Sequence, residues 1–104
     1  MTTRRLRIDR RASEEFDAAA DWYEAQRKGL GQEFIDAVDE TIALILDNPK
    51  QGTSVPGVDE PGLRRRLARR FPYAVVYLEA ADEVLVVAVA HGHRRPGYWR
   101  DRVR

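Results

Sequence analysis

Residues 73–93 read YAVVYLEAADEVLVVAVAHGH, and this stretch decides the fold. Residues 73–78 and 84–90 are two runs rich in β-branched and aromatic residues, joined across an acidic turn at 79–83. Such a pair reads as a β-hairpin. The second run, 84–90, is apolar at every position, so neither of its faces suits water. It is predicted to be a central strand covered on both sides.

Working towards the N-terminus, residues 63–70 alternate in part. Leu63, Arg65, Leu67 and Arg69 lie on one side, and Arg64, Arg66, Ala68 and Arg70 on the other. This is a third strand, ended by Phe71-Pro72. Residues 49–62 carry Pro49, Gly52, Pro56, Gly57, Pro61 and Gly62, which marks a loop. Before it come two helical patterns. Phe16, Ala19, Ala20 and Tyr23 recur at helical spacing behind Ser13, a predicted N-cap with Glu14 and Glu15 in the first turn. Gly29 is expected to end that helix. A second helix is predicted from Gly31 to about Asn48, with Phe34, Val38, Ile42 and Ile45 on one face. Gly29-Leu30-Gly31 alone separates the two, which implies an antiparallel hairpin of helices. Leu6 and Ile8 alternate with arginines as in a half-buried strand. The order β-α-α-β-β-β predicts an α+β fold: a helical hairpin packed on a mainly antiparallel twisted sheet.

The 104 residues fit one domain, 1–104, and 43% apolar content can fill its core. There is no cysteine, which excludes disulfides and thiolate metal sites. The charged, non-apolar N-terminus and the short apolar runs point to a cytoplasmic protein without a membrane span. Net charge is +1, but it is segregated. Residues 12–48 hold ten acids against Arg27 and Lys28, whereas residues 63–104 hold ten arginines against four acids. Sixteen of the 18 basic residues are arginine, the side chain best suited to bidentate phosphate or carboxylate contacts.

The densest cluster of reactive groups follows the central strand: His91, His93, Arg94, Arg95, Tyr98, Trp99, Arg100, Arg102 and Arg104. With Arg65 and Arg66 it can form a cationic groove flanked by aromatic rings, which suits single-stranded nucleic acid. Metal-independent RNA cleavage needs a base, an acid and a cation at the phosphate. His91, His93 and Tyr98 are the catalytic candidates if the protein is a nuclease. Arg65, Arg66, Arg94, Arg95, Trp99 and Arg100 are the candidates for holding a substrate or target. Each residue also has a structural reading. Either histidine can pack against Trp99 or cap a carbonyl, and an arginine run can be a solvated face. Two histidines without a third ligand make a poor zinc site, so no metal and no cofactor are expected. Trp22, Tyr23, Phe71 and Tyr73 read as packing residues.

Taken in order, Trp22-Tyr23-Glu24, Gly29-Leu30-Gly31, Phe34, Asn48-Pro49, Arg65-Arg66, Phe71-Pro72-Tyr73, Val76-Tyr77 and HGHRRPGYW at 91–99 resemble the RelE/ParE superfamily of toxins. The likeness spans nearly the whole chain and is closest to the ParE-like, or plasmid-stabilisation, branch. It implies the same α+β fold and a growth-inhibiting toxin, hetero-oligomeric with a cognate antitoxin. ParE-like members poison DNA gyrase; RelE-like members cleave mRNA on the ribosome without metal. A third reading is a non-toxic interaction module that binds an antitoxin. By resemblance, the basic sheet positions fall on Arg65 and Arg66, the C-terminal basic position near His93 or Arg94, and the tyrosine near Tyr98 or Trp99. The predicted sheet lacks the lysines typical of RelE-like enzymes, which favours the gyrase-directed branch.

Overall fold

A computed structural model describes residues 4–95 and 97–103. A short strand β1 (Arg5–Ile8) leads into helices α1 (Arg10–Gln26) and α2 (Leu30–Asp47). A 3-10 turn (Pro49–Gln51) and a loop then lead to β2 (Leu63–Leu67), β3 (Tyr73–Glu79) and β4 (Glu83–His91), and a last 3-10 turn spans Arg100–Val103. The sheet order is β1-β4-β3-β2, with β1 parallel to β4 and the other neighbours antiparallel. The predicted order and fold class are therefore correct, and the 84–90 run is an inner strand.

Both faces of β4 are covered, which accounts for the lack of polar residues at 84–90. On one face, Ala12, Ala19, Ala20, Phe34, Val38, Ile42 and Ile45 of the helices meet Val75, Tyr77, Val84, Val86 and Val89 of the sheet. Phe16, Tyr23, Phe34, Phe71 and Tyr73 extend this core as rings with centroids 4.9–6.3 Å apart. On the other face, Val55 and Trp99 close over Leu63, Val76, Val87 and Ala88. One irregularity shifts the alternation along β4. Val76 pairs with Ala88 and Tyr77 with Val86, so Val87 is an extra residue that bulges from the ladder.

Two expectations about element ends and one about burial are corrected. The N-cap of α1 is Asp9, whose Oδ1 accepts the Arg11 N–H at 2.8 Å; Ser13 lies inside the helix because β1 passes into α1 across a single residue. Helix α1 ends at Gln26, and Gly29, at φ 90°, caps the start of α2. Glu24 makes this tight corner by accepting the N–H groups of Gly29 and Gly31 at 3.0–3.1 Å. A Cβ at Gly31 would lie 2.7 Å from the Ala20 carbonyl oxygen, so only glycine lets the helices approach this closely. Strand β1 is exposed rather than half-buried, with Leu6 and Ile8 each about two-fifths accessible at the sheet edge. Among the described residues, no helix is long and apolar enough to cross a membrane.

Candidate functional site

The site forms where β4 outruns its neighbour. Pairing with β1 stops at Ile8–Val86, and β4 continues to His91. Backbone groups beyond that point need other partners. Side chains supply them: the Val89 N–H donates to Glu15 Oε1 at 3.0 Å, and the Val87 carbonyl accepts from Arg102 Nη1 at 3.1 Å. Glu15 and Arg102 also form a two-pronged ion pair at 3.1 and 3.2 Å, largely withdrawn from solvent. The Tyr98 hydroxyl donates to the second Glu15 oxygen at 2.6 Å. This clip holds the C-terminal segment against α1.

The Tyr98 hydroxyl is thereby committed to Glu15. Burial, reinforced by its bond to the Glu15 carboxylate, raises the phenol far above its ordinary range. The Arg94 guanidinium lies over the ring, 3.9 Å from its centroid, and that of Arg102 lies at 5.2 Å. His91 pairs with Tyr73 in the ladder, and their rings meet edge to face at 5.1 Å. Its Nδ1 accepts the His93 N–H at 3.0 Å, and the two imidazoles are 5.1 Å apart. Their closeness follows from a turn at 92–94 that closes with the Arg94 N–H on the His91 carbonyl.

Two concavities share Tyr73, His91, Arg94 and Tyr98. One, of about 270 Å³, lies on the face away from the helices and includes Arg65, Leu67, Arg95 and Trp99 in its lining. The other, of about 640 Å³, lies between α1 and the C-terminal segment and includes Glu15 and Trp22. Arg65, Arg94 and Arg95 make no ion pair among the described residues, unlike Arg27, Arg69 and Arg70, which are matched by Glu33 and Glu40 of α2. The fold therefore neutralises part of the charge segregation internally and leaves a basic rim around an apolar groove.

The remaining candidates separate. Arg65 pairs with Val76 and faces the groove, whereas Arg66 pairs with Val75, faces the helix side and donates to Gln51 Oε1 at 3.4 Å. The two adjacent arginines thus face opposite sides of the sheet. Arg100 donates to the Gly57 carbonyl at 3.2 Å, tying the loop to the C-terminal turn. Trp99 is a correction: at 2% exposure it is a core side chain with no face to offer a base. Trp22 is the opposite correction, 60% exposed on the groove instead of packed. The buried stripe of α1 runs through Ala12, Phe16, Ala19, Ala20 and Tyr23. Glu15, Ala18 and Trp22 form a second stripe about 100° round the helix. Arg102 reads in the sequence only as one more arginine of the C-terminal cluster, and Glu15 only as an acid in the predicted first turn of α1. The signal available for Glu15 was this second stripe, which puts a carboxylate beside an aromatic residue.

Comparison with known proteins gives a consistent picture. The family model described as ParE toxin of type II toxin-antitoxin system, parDE, matches residues 6–96. Among solved structures, a chain of the chromosomal ParDE TA system from P. aeruginosa shares the fold at a TM-score of 0.71 and 19% identity, over 86% of this chain and 96% of that one. No curated protein matches the chain.

Proposed function

The chain belongs to the family of ParE toxins of type II toxin–antitoxin systems, and from that premise we propose that it arrests bacterial growth in the cytoplasm by poisoning DNA gyrase. We propose equally that a cognate antitoxin protein binds and neutralises it. One observation carries the choice of target: the Tyr98 hydroxyl is committed to Glu15. A ribonuclease needs an acid of matched pKa aimed at the leaving oxygen, and this phenol is both raised and turned inward. The opposite facing of Arg65 and Arg66 supports the same reading. An apolar groove rimmed by Arg65, Arg94 and Arg95 has the make-up of a protein-binding surface: an apolar interior and a charged rim.

The test is inducible expression of the chain alone and with its neighbouring gene, followed by a gyrase cleavage assay and primer extension on cellular mRNA. Growth arrest with intact message and trapped gyrase–DNA breaks, relieved by the neighbouring gene, is the expected result. Message cut inside codons would overturn the gyrase reading in favour of a ribosome-dependent nuclease using His91 and His93. Unimpaired growth would leave an interaction module.

A further inference from the structure

The Glu15–Arg102 clip does more than join two elements. Each oxygen of Glu15 accepts two hydrogen bonds: Oε1 from the Val89 N–H and Arg102 Nη1, Oε2 from Tyr98 and Arg102 Nη2. Arg102 divides Nη1 between this carboxylate and the Val87 carbonyl. A pair of side chains from α1 and the C-terminal turn thus occupies the place along β4 that β1 has vacated. Buried ion pairs of this kind contribute little net stability compared with apolar packing, and their best-attested use is to fix one geometry. The geometry fixed here is that of Tyr98, and over Tyr98 lies Arg94.

We propose that Glu15 is a positioning residue: through Tyr98 and Arg102 it holds the segment after β4 in the one arrangement that presents Arg94 to the toxin's target. The proposal rests on the reading of the Arg94 rim as the target-binding face. Glu15 itself touches no target. It acts through a hydroxyl and a guanidinium, so its loss should act through the same residues.

The decisive measurement is NMR on the isotope-labelled full chain, comparing wild type with Glu15→Gln and Tyr98→Phe. Glu14→Gln, at an exposed neighbouring position, is the control. In Glu15→Gln the ring-current shift of the Arg94 side chain over Tyr98 should collapse. The Val89 amide should exchange about 10- to 100-fold faster, the effect of losing one hydrogen bond to a charged group. Tyr98→Phe keeps the ring but frees it from α1, so it should reproduce the Arg94 change without the Val89 change. This keeps the idea testable should Glu15→Gln fail to fold. In growth arrest, Glu15→Gln should weaken the toxin about tenfold, and adding it to Arg94→Ala should weaken that variant no further. An unchanged Arg94 shift in both variants overturns the proposal, as does a Glu15 effect that simply adds to that of Arg94→Ala. Arrest without gyrase breaks sinks the gyrase target alone, because the Arg94 and Val89 signals do not depend on the target.

Discussion

Replacing each tryptophan in turn by alanine separates the two layers of this molecule. Trp99 exposes 2% of its surface among Val55, Leu63, Val76, Val87 and Ala88. An aromatic side chain of this class buries roughly 150–250 Å², which at about 25 cal/mol per Å² corresponds to about 4–6 kcal/mol. Measured truncations of buried Phe and Trp cost about 3–5 kcal/mol. A domain of this size is stable by about 5–15 kcal/mol in total, so Trp99→Ala should remove roughly a fifth of the stability or more. Trp22 is 60% exposed and rests edge-on against Tyr23, so the same arithmetic leaves it about 1.5–2.5 kcal/mol. Urea unfolding followed by circular dichroism gives both numbers. Fluorescence of the two variants adds a check, because the Trp22 that remains in Trp99→Ala should emit like an indole in water. Equal costs, or a larger cost for Trp22→Ala, would refute the assignment of Trp99 to a second core.

Four further outcomes are expected. Gly52 has ordinary backbone angles, yet a Cβ there would lie 2.1 Å from the Tyr77 hydroxyl; Gly52→Ala should cost about 1–3 kcal/mol, and a Tyr77→Phe background should recover part of it in a double-mutant cycle. Hydrogen bonding to Arg70, then to Arg27, holds the Glu33 carboxyl below its usual pKa. Its contribution is therefore present above about pH 4.3 and is withdrawn as pH falls through the lowered value. Glu33→Gln should flatten the acid limb of a stability–pH curve, and an unaltered limb would refute the pairing. Burial, then the Glu15 bond, raises the Tyr98 phenol, so the neutral form stabilises the fold below about pH 10 and that stability is lost as pH climbs towards the raised value. Ultraviolet phenolate absorbance should therefore rise at higher pH in the native protein than in denaturant. In growth-arrest assays, Arg65→Ala and Arg94→Ala should weaken the toxin at least tenfold while Arg66→Ala leaves it near wild type; a large Arg66 effect would mean that the opposite face binds the target.

The hairpin of β3 and β4 was legible because a run apolar at every position has few places to go in a small domain. The helical hairpin was equally plain, since Phe34, Val38, Ile42 and Ile45 repeat with the helix turn. Much of the candidate site was not. Trp22 and Tyr23 are adjacent aromatic residues, and composition alone cannot say which one the 100° step turns inward. Trp99 sits in a short segment with no periodicity, so nothing local announces that it seals the far side of the sheet. The partners of Glu15 lie 74 to 87 residues away along the chain, and no spacing rule reaches that far. Strand alternation already put Arg65 and Arg66 on opposite sides, although their shared charge made them look like one group.

The extra residue at Val87 has a consequence for how the gene can vary. Val84 and Val86 precede it and Val89 follows it, all on the helix side, although an unbroken alternation would have sent Val89 the other way. The bulge acts as a frame correction within β4. Removing Val87 alone should leave Val86 and Ala88 opposite their present partners Tyr77 and Val76, at the cost of one side chain from the outer layer. Because residues 86 and 87 are both valine, removing either codon gives this same chain. Single-codon deletions in β4 that spare the toxin should therefore concentrate at these two codons.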